Sequence, residues 1–298
     1  MEIPEEYFKA GEIARRVREE VRGWLRVGLN LLEIAERVEA SIHAKGGEPA
    51  FPCNICVDSV AAHYTPTLDD TDLIKEGSLV KVDLGVHVNG FIVDTAVTVS
   101  FNPEYDAMVR AAEDVLSEAI KASSKGVKVG EIGRVIASVA SRWGYQTIKN
   151  LSGHMVEPYT IHAGVSIPNL WVSGTVALKS GQVYAIEPFI TTPDGSGVVV
   201  ESKECRIYSL ISRRKTKERG LDDFIAKLWE RFKSLPFTPR YFPDMDQSEL
   251  KMTLEKLCRL KVLRAYPVLV EAKAKPVAQA EDTIAITDDE IIVLTRKS

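Results

Sequence analysis

Residues 79–99 read LVKVDLGVHVNGFIVDTAVTV, two β-branched, apolar runs joined at Asn89-Gly90, the strongest short-range hairpin signal a sequence offers. A two-residue turn there pairs Val88 with Phe91, Gly85 with Asp94 and Asp83 with Ala96. Side chains alternate along a strand, so Asp83 and Gly85 share a face and Asp83 is the diagonal neighbour of Asp94. A lone carboxylate in such a run is costly to bury. Two aimed at one point repel unless one is protonated or a cation lies between them. The pattern favours the cation.

Upstream, apolar residues recur at helical spacing from Glu5 to about Val27 (Ala14, Val17, Val21, Trp24, Leu25). A second helix runs through Leu31, Ile34, Ala35, Val38 and Ile42 and stops at Gly46-Gly47. Downstream the pattern returns, first at Met108, Ala112, Val115, Leu116 and Ala119, then at Ile132, Val135, Ile136 and Val139. A shift of 98 residues lays Tyr7 on Tyr105, Ala14 on Ala112, Val17 on Val115, Glu33-Ile34 on Glu131-Ile132 and Gly46 on Gly144. The shift points to an internal duplication. Each half then turns to strands: about 55–64, 80–84 and 91–99 in the first, 183–189 and 197–209 in the second. A duplicated helix–helix–strands unit predicts an α+β fold with a pseudo-two-fold antiparallel sheet backed by helices. Residues 210–263 then carry two amphipathic helices, one on Leu221, Phe224, Ile225, Leu228, Trp229 and Phe232, one on Leu250, Leu254, Leu257 and Cys258, before the chain returns to strand from Val277 (VAQAEDTIAIT, then IIVLT). They read as a helical insertion subdomain within a catalytic domain formed by 1–209 and 264–298.

The composition, 45% hydrophobic and 27% charged over 298 residues, is that of a globular protein with a sizeable core. A net charge of −4 gives no overall attraction to DNA or to an anionic membrane. The N-terminus lacks the apolar core of a secretory signal, no run is long enough to span a bilayer, and four cysteines make no disulfide framework. A cytoplasmic location is expected.

Further polar residues interrupt apolar stretches: Glu187 ends VYAIE, Glu281 breaks VAQAEDTIAI, and GHMVEPYTIHAG carries His154 and His162. With Asp83 and Asp94 this makes an oxygen-rich set with a single imidazole in a Gly-His turn. It is too acidic for one ion and suits two divalent ions sharing bridging carboxylates.

In this order, VDLGVHVNGFIVDTAVTV, GHMVEPYTIHAG, YAIEPF and AEDTIAI resemble the signature blocks of the methionine aminopeptidases. The insertion resembles the mark of that family's type 2 branch, and FPCNICVDSVAAHYTP resembles its substrate-side loop. The resemblance implies the pita-bread fold and removal of the initiator methionine from nascent chains when the second residue is small, by attack of a metal-bridging hydroxide. It makes Asp83 a ligand of one metal, Asp94 and Glu281 the bridging carboxylates, and His154 and Glu187 ligands of the other metal. It makes His63 and His162 contacts of the scissile peptide, Glu187 a proton carrier as well as a ligand, and Phe51, Ile161 and Tyr266 walls of the methionine pocket. The cofactors implied are two divalent ions, with Co, Mn, Fe and Zn all compatible. The partners implied are nascent N-termini, with a weak ribosome association, no membrane, no DNA and a monomeric state. Asp282 departs from the family, which commonly has histidine there. The rival readings are an X-Pro aminopeptidase or prolidase-like enzyme with the same metal set, and a non-catalytic pita-bread protein that binds RNA or protein. His43 and His87 read as structural, Cys53 and Cys56 as structural thiols, and the basic run SRRKTKERG as a solvated linker.

Overall fold

The computed structural model describes residues 2–297. The chain opens with α1 (Glu5–Trp24) and α2 (Leu31–Ala44). Asn30 caps α2, its side chain accepting from Leu32 N (2.8 Å) and Glu33 N (3.3 Å). Then come β1 (Glu48–Pro49), β2 (Asn54–Val57), β3 (Val60–Ala62), β4 (Leu79–Val88) and β5 (Phe91–Ser100). The pattern repeats as α3 (Asp106–Lys121) and α4 (Val129–Arg142), followed by β6 (Gln146–Thr147), β7 (Ser152–Val156), β8 (Ser166–Pro168), β9 (Val183–Ile186) and β10 (Phe189–Thr191). The long strand β11 (Val199–Leu210) leads to α5 (Arg219–Phe232) and α6 (Gln247–Arg259). The chain ends on β12 (Leu263–Glu271), β13 (Val277–Gln279), β14 (Asp282–Ile286) and β15 (Ile291–Val293). The fold is α+β, and every strand pairing is antiparallel.

The β4–β5 hairpin has the register its turn requires: Val88 faces Phe91, Gly85 faces Asp94 and Asp83 faces Ala96. Asn89 (φ 52°) and Gly90 (φ 90°) both take positive φ, as a type I′ turn demands. Gly90 has a second reason to lack a side chain, since a Cβ there would lie 2.2 Å from the Tyr159 ring.

The hydrogen-bonded strands fall into four groups, not one sheet: β1-β4-β2 with β5 on β4, β13-β10-β6, β11-β12-β3 and β15-β14-β9-β7-β8. Threonine hydroxyls sew the first group to the strands from the other half. Thr95 Oγ1 donates to Glu281 O (2.8 Å), Thr98 Oγ1 to Gln279 O (2.6 Å) and Thr283 Oγ1 to Asp94 O (2.8 Å). Each half has its own core. Helices α1 and α2 bury Val17, Val21, Ile34 and Val38 against Val82, Leu84 and Ile92, whereas α3 and α4 bury Met108, Val115 and Ile136 against Tyr184, Ile186 and Ile284.

Two strand expectations need correcting. Residues 55–64 form two strands because Asp58 takes a left-handed conformation (φ 50°) between them. The 183–189 run breaks at Glu187, since Pro188 has no N–H to continue a ladder. Strand β12 was not anticipated. It pairs with β11 from Leu263↔Leu210 onward, so the helical segment 211–262 leaves and rejoins at the tip of one long hairpin. That segment packs around Leu228, Phe237, Leu250, Leu254 and Leu257.

Candidate metal centre

The sequence brings six carboxylate and imidazole residues to one place from five elements. Asp83 and Asp94 come from β4 and β5, and His154 from β7. Glu187 sits at the proline break after β9, and Glu281 lies between β13 and β14, bridged to Ala96 of β5. His162 follows in the loop after β7, its ring 4.5 Å from that of His154 and edge-on to it. Asp94, His154 and Glu281 each offer a ligand atom within 4.8 Å of the others, and all three are buried. His154 Nε2 lies 3.5 Å from Asp94 Oδ2 and 3.4 Å from Glu187 Oε1.

The electrostatics of this group are unfavourable as it stands. Burial, and then the neighbouring Asp94, pushes the Asp83 carboxyl well up. Burial raises Asp94, and burial with the surrounding acids raises Glu187 and Glu281. Burial also drives His154 down to about 4, so its imidazole is neutral and a free electron-pair donor. Asp83 Oδ1, Asp94 Oδ1 and Glu281 Oε1 are buried with no hydrogen-bond partner among the described residues. Native interiors rarely leave such atoms orphaned. Oxygen donors of this kind beside one neutral imidazole fit divalent cations, which would satisfy the orphaned atoms and cancel the repulsion.

The group opens into a cavity of about 350 Å³. Phe51, Ile161 and Tyr266 line it, as do His63, His162 and the acids Asp83, Asp94 and Glu187. Thus nine of the ten residues singled out in the sequence share this cavity, and Glu281, which is not on its lining, belongs to the same ligand group. Gly85 makes the apolar wall possible: a Cβ there would lie 2.3 Å from Phe51 Cε1. His63 has φ 65°, an uncommon conformation for a residue with a side chain. Its Nδ1 lies 3.1 Å from Pro267 O, which can only accept, so Nδ1 carries the proton and Nε2 is left as an acceptor. Burial holds its pKa below the ordinary histidine value.

Several contributors escaped the sequence reading. Asn54, Ile207 and Pro236 also line the cavity, and Gln279 Nε2 donates to Glu281 Oε2 (3.2 Å). An i,i+2 pairing with Glu281 was the one available hint for Gln279. Asp282 points away from its neighbour Glu281, as strand alternation requires. It accepts from Arg18 Nη1 (2.6 Å), Arg296 Nε (2.6 Å) and Thr295 Oγ1 (2.7 Å). Arg18 also donates to Glu281 O (3.1 Å), so Asp282 braces the backbone of the site from behind. His87 accepts from Gly90 N in the hairpin turn, and exposed His43 pairs with Glu48. Cys53 and Cys56 are free, buried thiols.

Residues 5–208 match the model of metallopeptidase family M24. The chain belongs to metallopeptidase family M24. Membership implies divalent metal ions, in accord with the donor set above. This M24 chain is 43% identical over 293 residues to the methionine aminopeptidase of Saccharolobus solfataricus, covering 96% of each chain. It is 41% identical over 290 residues to that of Pyrococcus horikoshii, covering 97% of this chain and 98% of the relative. Among solved structures, a thermophilic Arx1 superposes with a TM-score of 0.86 at 17% identity, covering 98% of this chain and 91% of the other. The methionine aminopeptidase of Thermotoga maritima superposes at 0.71 with 22% identity, covering 99% and 98%. At these identities the superpositions speak for the shared pita-bread fold alone.

Proposed function

We propose that this M24 protein is a methionine aminopeptidase that removes the initiator methionine from new chains when the second residue is small. One observation carries the reading: a buried, oxygen-rich ligand group at the base of a small cavity with an apolar wall, in a chain over 40% identical along its length to curated methionine aminopeptidases. Asp83 would hold one divalent ion and His154 with Glu187 another, with Asp94 and Glu281 shared between them; such ions would supply an acidified water and a polarised scissile carbonyl. Phe51, Ile161 and Tyr266 receive the methionine side chain. Glu187 takes the proton of the attacking water and later returns it to the leaving amine. His162 donates to the carbonyl oxygen as charge develops there. His63, protonated on Nδ1, accepts at Nε2 and thus addresses an N–H of the substrate, not its carbonyl.

The helical segment 210–263 forms a subdomain, with 1–209 and 264–298 as the catalytic domain, and its presence supports placement in the type 2 branch. The protein works as a monomer in the cytoplasm, with at most a weak ribosome contact. The X-Pro reading shares the ligand set but lacks the sequence identity that supports the methionine reading. The test is release of methionine from Met-Ala-Ser by metal-free protein with Mn, Fe, Co or Zn added back, beside an Ala-Pro peptide. Turnover of Ala-Pro alone would favour the X-Pro reading. Tight metal binding without turnover of either peptide would favour a binding protein.

A further inference from the structure

Arg240 lies in the 3-10 turn between α5 and α6, yet its side chain is 96% buried inside the rest of the molecule. Its guanidinium grips Glu39 of α2 with two hydrogen bonds, Nη1 to Oε2 at 2.7 Å and Nη2 to Oε1 at 2.8 Å. Nε donates to Pro66 O (3.1 Å) and Nη2 to Thr65 Oγ1 (3.2 Å). Glu39 Oε1 accepts in turn from Cys53 N (3.0 Å) and Tyr241 Oη (3.0 Å). Thr65 Oγ1 donates to Cys53 O (2.8 Å), which closes the circuit. The anchored backbone therefore lies two residues beyond Phe51 on one side and two residues beyond His63 on the other. Both residues line the cavity. The metal-ligand candidates Asp83, Asp94, His154, Glu187 and Glu281 lie on other elements.

We propose that the Glu39–Arg240 pair is a specificity-determining brace: it fastens the 211–262 segment to both chain ends that carry Phe51 and His63, and so fixes the width of the methionine pocket. This rests on the reading of the cavity as a methionine site. Arg240 is a positioning residue, since it acts through the backbone of the pocket walls. A buried charge pair is a poor source of net stability, because desolvation offsets its attraction. A fork that satisfies four partners is, however, well suited to holding one geometry.

The test uses full-length, metal-loaded protein carrying Arg240→Lys, and separately the double substitution Glu39→Met with Arg240→Met, at a temperature where circular dichroism reports the native fold. Lysine keeps the charge opposite Glu39 but cannot reach Pro66 and Thr65 from one planar fork, so it keeps the fold and loses the brace. The paired methionines fill the volume without an unpaired charge. Two quantities are read: kcat/KM for Met-Ala-Ser over Leu-Ala-Ser, and the affinity for free methionine over leucine by calorimetry. Both ratios should fall by about tenfold in each protein, the scale on which a fitted apolar pocket separates side chains. The loss should lie in KM, with kcat within about threefold of wild type. A stability decrease with both ratios within about twofold of wild type would make the pair a simple fold brace and overturn the inference. A wild type that releases no methionine would refute the functional reading instead. The calorimetric ratio would then decide on the brace alone, and absence of any methionine preference in wild-type binding would overturn it too.

Discussion

Gly85→Ala tests the geometry of the pocket with a single methyl group. Gly85 is paired with Asp94 across the β4–β5 ladder, and the Phe51 ring fills the space above it. An alanine Cβ would stand 2.3 Å from Phe51 Cε1, 2.6 Å from Cδ1 and 3.0 Å from Ala50 Cβ. Carbon atoms need about 3.5–4.0 Å, so the ring must retreat by more than about 1 Å. Retreat toward the core is closed, because Phe51 belongs to the cluster built on α1, α2 and the hairpin. The ring moves toward the cavity instead. Overpacking of this kind costs about 1–3 kcal/mol. If that cost appears when the pocket must reopen for methionine, affinity falls by roughly 5- to 150-fold. The assay is steady-state release of methionine from Met-Ala-Ser with metal stoichiometry measured on the same sample. KM should rise, while kcat and metal content stay near wild type, since the ladder positions of Asp83 and Asp94 are unchanged. Adding Phe51→Ala should abolish the clash, so the two substitutions should be strongly non-additive in stability. A folded Gly85→Ala protein with wild-type KM would refute the placement of the methionine side chain against Phe51.

Asp83→Ala should lose mainly one metal and Asp94→Ala both, if Asp94, unlike Asp83, is shared between the two metal positions; equal losses by metal analysis would contradict that assignment. Glu187→Gln keeps one oxygen for a metal but cannot accept a proton, so kcat at saturating metal should drop by about 10²–10⁴-fold with little change in KM. Near-normal kcat with both metals bound would remove Glu187 as the proton carrier. His63 is buried with its pKa held below the ordinary 6.5. Below that value the unfolded chain binds a proton that the native ring resists, so stability is full above pH 6.5 and declines as pH falls. His63→Asn should flatten that decline in urea titrations, and an unchanged pH profile would show that His63 protonates freely in the native state.

The hairpin register was legible because two constraints coincide at Asn89-Gly90: a turn type set by φ, and a period of two that fixes which carboxylates share a face. The gathering of the acids at one place was legible for a related reason. Asp83, Asp94, Glu187 and Glu281 each break an apolar strand pattern, and a buried charge needs a partner. What escaped the sequence is what one strand does to another. Thr95, Thr98 and Thr283 read as ordinary β-formers, and nothing local says that their hydroxyls replace ladder bonds between the two halves. Strand β12 was hidden by its composition: LRAYPVLVE carries a proline and two charges, and it is held by β11 and β3. Glu39 appeared as one more acid on α2, and Arg240 as one more base in a turn-rich segment, 201 residues away. Helical periodicity would in fact have placed Glu39 beside Ala35, Val38 and Ile42 on the buried face, where an unpaired acid is not tolerated. That signal told of a missing cation without naming it. The same reasoning that called for a cation beside Asp83 and Asp94 therefore applies twice in this chain: in one place the structure gathers buried donors around a cavity, and in the other it supplies a guanidinium from the helical segment.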